Sequence, residues 1–148
     1  MRILLAASLL VLGCSESSSF LAPAPPNLLN SPSVITVDGA PITLGASVTV
    51  DPKLHLTGFL GTTNPSPWPA GATTGRVWVV RNGVAWTSET GPDPVALPLR
   101  LGAIAVIATG VGPTWPAGDS VDVVMEVLNG HGSTQLLRAP RLAILAGN

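Results

Sequence analysis

The chain has 148 residues, of which 46% are hydrophobic, 10% charged and 4% aromatic, with 16 Gly, 15 Pro and a formal net charge of -1. Chains disordered throughout are poorer in apolar residues, and helix bundles carry far more Glu and Lys and far less Pro and Gly. A charge this close to zero lacks the basic footprint of nucleic-acid binding, and a single Cys excludes a disulfide framework and a thiolate zinc site.

Met1-Arg2 is a short positive start, and Ile3 to Leu12 are ten apolar residues running into Val11-Leu12-Gly13-Cys14. Ten apolar residues are too few to cross about 30 Å of hydrocarbon as a helix but suit a secretory leader. Val11 to Cys14 resembles the lipobox of bacterial lipoproteins. The resemblance implies diacylglyceryl transfer to the Cys14 sulfur, cleavage before Cys14 and acylation of the new amino terminus. With Ser15 after the cysteine, the family's sorting rule implies the outer membrane. The same residues also fit an ordinary secretory leader followed by an incidental thiol. Ser15 to Ser19 and then Ala22-Pro23-Ala24-Pro25-Pro26 read as a polar, stiffening tether. The expected organisation is a leader over 1–13, a lipidated Cys and tether over 14–32, and one folded domain over 33–148.

Within that domain, period two dominates. Strands are expected at 34–37, 42–44, 47–50 and 54–57. Val77 to Trp86 form a hairpin about Asn82-Gly83, the preferred pair for a two-residue type I′ turn. In that hairpin Val79 should face Trp86, and Trp78 should face Thr87. Val95 to Leu99 reads as an edge strand because Pro98 lacks a donor, and Ala103 to Thr109 as a strand buried on both faces. Val121 to Leu128 alternates, with Val121, Val123, Met125 and Val127 on one face. Two short strands, 135–138 and 141–145, end the chain. Close turn signals without helical segments predict an all-β, antiparallel β-sandwich. Its alternation and loop chemistry resemble the broad immunoglobulin-like or fibronectin-like class, although no family motif is present and the chain has no Tyr. A jelly roll or small barrel also fits. Trp68-Pro69-Ala70-Gly71 and Trp115-Pro116-Ala117-Gly118 are read as one loop type used twice, Trp capping the core edge and Gly making the turn.

Little points to catalysis. His55 alternates against Leu54 and Leu56 and should face solvent, and His131 lies in a Gly-rich turn. No nucleophile elbow, phosphate loop or dinucleotide fingerprint occurs, and no cofactor or metal is expected. Asp119, Asp122 and Glu126 read as a solvated outer face; a calcium site on Asp119 is the sharper alternative. Trp78, left toward solvent with Arg76 on its side, is the candidate partner-binding residue unless the loop over 65–71 covers it. The expectation is a non-catalytic, lipid-anchored envelope module, an accessory, adhesive or structural part. Its partners would be the membrane through Cys14 and an envelope protein. An extracytoplasmic ligand or carbohydrate binder is second, and a hydrolase or metal enzyme third.

Overall fold

The computed structural model describes residues 19–64, 66–95 and 99–148. The expected leader, Cys14 and residues 15–18 lie outside the described residues. So do 96–98 of the expected edge strand, whose Val95 sits in a turn with its N–H donated to Asp93 Oδ1.

The strands in chain order are β1 (Phe20–Pro23), β2 (Val34–Val37), β3 (Ala40–Val50), β4 (Leu54–Thr62), β5 (Thr73–Arg81) and β6 (Val84–Pro92). They continue with β7 (Ala103–Ala108), β8 (Ser120–Leu128), β9 (Thr134–Arg138), β10 (Leu142–Ala143) and β11 (Leu145–Ala146). One 3-10 turn, Leu28–Asn30, precedes β2. The protein is all-β, as the alternation predicts. Pairing is antiparallel except where β11 runs parallel to β3.

The strands form two layers. In the front sheet β1, β6, β5, β8 and β9 are neighbours; in the back sheet β6, β7, β4, β3 and β2 are neighbours. Strand β6 belongs to both. Its first six residues pair with β5 from Arg81↔Val84 to Arg76↔Glu89, and its last three residues pair with β7 from Thr90↔Ala108 to Pro92↔Val106. On the far side β9 meets β2, where Gln135 Nε2 donates to Thr36 O at 3.0 Å. The sandwich is therefore nearly closed.

The period-two pattern decides which side chains go inside. Val77 and Val79 of β5, Trp86 of β6, and Val121, Val123, Met125 and Val127 of β8 face Ile42, Leu44, Val48, Leu56 and Leu60 of the back sheet. Trp86 is 1% exposed. The hairpin has the expected register, Val79↔Trp86 and Trp78↔Thr87, with Asn82 and Gly83 at φ 49 and 79. The left-handed geometry of both residues is what the turn requires and what Asn-Gly supplies.

The structure departs from the sequence expectation at β3, at β7, at the tether and at the strand expected over 141–145, which divides into β10 on β8 and β11 on β3. Strand β3 is one strand of 11 residues, laddered without a break to β4, where two short strands were expected. Strand β7 is not buried on both faces: only Val106 is buried, because Ala103, Ala105 and Ile107 lie on the outer face of the back sheet. The third departure is the tether. Phe20–Pro23 pair with β6, Leu28 is buried, and residues 24–30 form a partial third layer over Val80, Ala85 and Val124. The fold thus includes residues 19–32, ahead of the expected start at 33.

Burying Leu28 contributes about 1.5–3 kcal/mol and the Ser19–Trp86 hydrogen bond about 1 kcal/mol. A chain beginning at Ser31 is expected to be about 2–5 kcal/mol less stable than one beginning at Ser19. Urea denaturation of the two compares them directly. Coincident midpoints would mean that residues 19–30 contribute nothing to the fold.

Candidate functional site

The residues singled out for partner binding lie at an irregularity in β5. The ladder to β8 steps from Thr74↔Val127 to Val77↔Met125, so β5 holds one extra residue at Gly75-Arg76. Such a bulge frees a backbone donor and re-aims a side chain. Here the Arg76 N–H donates to Glu126 Oε2 at 3.0 Å, and Arg76 Nε lies 3.7 Å from the same oxygen. A Cβ at position 75 would collide with that carboxylate, so glycine is what lets Glu126 reach the bulge.

Arg76 Cζ stands 5.7 Å from the Trp78 ring centroid, a cation–π arrangement. Trp78 points to the outer face of the front sheet, as the sequence implied. It is only half exposed, because it packs against Leu28, Val80, Ala85 and Val124 together with Leu29 and Leu136. The cover comes from residues 24–30, while Trp68 of the loop expected to cover it packs on the main core. Arg76, whose side chain is 53% exposed, is the outermost part of this pair.

The three acids expected on a solvated face are each held by arginine. Asp122 is buried at 4% exposure; its Oδ1 accepts Arg138 Nη2 at 2.8 Å, and its Oδ2 lies 3.7 Å from Arg141 Nη1. Arg138 also donates to Leu29 O, which ties the pair to the covering segment. Asp122 is therefore a correction: alternation put it on the outer face, but that face is roofed there. Asp119 accepts Arg81 Nε at 2.6 Å, and Arg81 in turn lies 5.7 Å above the Trp115 ring. That pairing engages a carboxylate oxygen a calcium site would need.

His55 and His131 are both exposed, one on β4 and one in the β8–β9 turn. Among the described residues, no three His, Cys, Asp or Glu side chains come together in a metal-ligating group.

The two Trp-Pro-Ala-Gly loops close opposite ends of the sandwich, one before β5 and one before the antiparallel β8. Trp68 and Trp115 both pack on the edge of the main core, and Gly71 and Gly118 have φ 76 and 94. Beside Trp68, where β6 leaves β5, a cleft of about 380 Å³ opens between Ala72, Pro92, Ile104 and Val106. Two hydroxyls sit at its wall: Thr74 Oγ1 and Thr90 Oγ1 are 2.6 Å apart. Sequence reading missed this cleft. Gly91-Pro92 looks like the end of a strand, and only the crossing of β6 between sheets makes the gap.

No family model matches the chain, and no curated protein or solved structure matches it.

Trp86→Ala removes a ring that is 1% exposed and is expected to cost about 3–5 kcal/mol. Trp78→Ala, with a partly buried ring, should cost roughly 2–3 kcal/mol. Thermal melts of both rank them, and equal large losses would mean that residues 24–30 bury Trp78 completely. Asp122→Ala leaves Arg138 without its buried partner and is expected to cost about 3 kcal/mol. Asp119→Ala, at a partly exposed pair, should cost under about 1 kcal/mol. Denaturant midpoints for the two give the ratio.

Proposed function

We propose that the protein is a lipid-anchored, non-catalytic module of a bacterial cell envelope, held by acylated Cys14 in the outer membrane, which offers its folded body to an envelope protein partner. The observation that carries the reading is the leader: Arg2, ten apolar residues and Val11-Leu12-Gly13-Cys14 in immediate succession. Two or more acyl chains anchor a protein stably where one is marginal. The non-catalytic part is supported by how the polar groups are used. Asp119, Asp122 and Glu126 are engaged with arginines, and the two histidines stand apart in the open. Catalytic groups need to converge on one reacting atom.

Arg76 on Trp78 is the proposed contact for that partner. Its planar cation projects from the bulge beside an aromatic ring, the pairing from which interface anchors are commonly built. A second reading, an extracytoplasmic ligand-binding module, is favoured by the cleft beside Trp68. Its lining of Trp68, Pro92, Ile104 and Val106 suits a small apolar ligand better than a sugar.

Expression in a bacterium fed labelled palmitate tests the anchor. The wild-type chain should take up label and partition into the detergent phase, and Cys14→Ala should do neither. Identical behaviour of the two, without label in either, would remove the lipoprotein reading.

A further inference from the structure

We propose that the side of the body where β1 lies along β6 is seated on the lipid bilayer, with Phe20, Leu21, Val84 and Val111 at the boundary between headgroups and acyl chains. The inference rests on the proposed acylation of Cys14 and adds an orientation to it.

The reach of the chain comes first. Four residues, Ser15 to Ser18, separate Cys14 from Ser19, which is held on the folded body. Five extended residue steps span at most about 17 Å. Strand β4, with 9 residues, is itself roughly 30 Å long. A body attached this closely cannot stand clear of the membrane by its own length.

The point of attachment is also fixed on the body. Ser19 Oγ donates to Val111 O at 2.8 Å and accepts the Trp86 Nε1–H at 2.7 Å. The ladder then runs from Phe20↔Thr87 to Pro23↔Val84, and Ala24 N–H donates to Gly83 O. The side that carries Ser19 is therefore the side that faces the lipid.

The chemistry of that side agrees with a lipid occupant. Phe20 is 52% exposed, Leu21 53%, Val84 42% and Val111 72%. The segments that build it, 19–24, 84–88 and 109–113, contain no Asp, Glu, Lys or Arg. Phe20 pairs with Thr87 and so shares the outer face of the front sheet with exposed Glu89, and Val111 shares a groove with Asp51 and Lys53. Seating this side edge-on displaces water from Phe20, Leu21, Val84 and Val111, with Glu89, Asp51 and Lys53 held at the headgroup level where charges keep their water.

The test uses the full chain, processed in the expressing bacterium and reconstituted in vesicles of phosphatidylethanolamine and phosphatidylglycerol. Val111→Cys and Ser133→Cys are labelled with a nitroxide in separate preparations, acylation of Cys14 having blocked its own thiol. Ser133 is exposed in the β8–β9 turn and serves as the water-facing reference. The label at 111 should collide with oxygen in preference to a water-soluble nickel complex, and the label at 133 should show the reverse. Adding Phe20→Glu should shift the seated-to-free ratio by on the order of tenfold or more and restore nickel access at 111. Position 20 is on an exposed edge strand, so an unchanged circular-dichroism melt should accompany that shift. Equal nickel access at both positions in an acylated, vesicle-bound chain would overturn the proposal, as would a label at 111 indifferent to Phe20→Glu. Shielding at 111 in native membranes but not in pure lipid would assign the surface to a protein partner and overturn it too. A mass spectrum without acyl groups on Cys14 would instead remove the anchor reading, and this inference with it.

Discussion

Because β6 is laddered to β5 over its first six residues and to β7 over its last three, neither sheet can shift without carrying the other, and most of what is distinctive in the molecule hangs on that shared strand. Thr90 holds the crossing point: its hydroxyl donates to Gly75 O at 2.6 Å and meets the Thr74 hydroxyl. Before the crossing, the inward side of β6 carries Trp86 into the core, and Ser88 Oγ accepts the Gly110 N–H. After it, the gap left beside β5 becomes the cleft at Trp68. The chain leaving β7 runs on along the same strand, with Thr109 N–H donating to Glu89 O, until it reaches Ser19.

What was legible in the sequence was what local chemistry alone decides. Asn82-Gly83 selects a turn, the turn fixes the register, and the register puts Trp86 inside and Trp78 outside. The alternation of β8 sorted its four core residues for the same reason. Strand β1 was hidden because Phe20-Leu21-Ala22-Pro23 leads into a run of prolines, which reads as a spacer. An edge strand needs donors on one side only, so Pro23 is tolerated there. Asp122 was misjudged because alternation reports which face a residue takes, not whether something else covers that face. Its roof, residues 24–30, and its main partner, Arg138, are distant in sequence. The site at Trp78 was half legible for the same reason: the residue and its face were right, the cover was not.

The charges are distributed unevenly, and this divides the two sheets by role. Arg76, Arg138 and Arg141 meet acids of β8 on the outer surface of the front sheet, and Arg81 meets Asp119 at its end beside Trp115. The strands β2, β3, β4 and β7 contain no Asp, Glu, Lys or Arg at all. The back sheet relies on burial of Ile42, Leu44, Val48, Leu56 and Leu60 and on ladder hydrogen bonds, and its outer face is built from small residues around Phe59. Among the described residues, the ion pairs gather on the front sheet. Arg76 and Trp78 lie on its outer face.

The serine at the entry to the fold has a mechanical side. Tension arriving along the chain from the amino terminus reaches Ser19 first. Its hydroxyl divides that load between the Trp86 indole inside the core and the Val111 carbonyl on the neighbouring run. The β1 ladder takes up the rest in series behind it. Peeling away the first strand therefore also breaks the hydrogen bond of the buried Trp86 indole and leaves that donor without its partner.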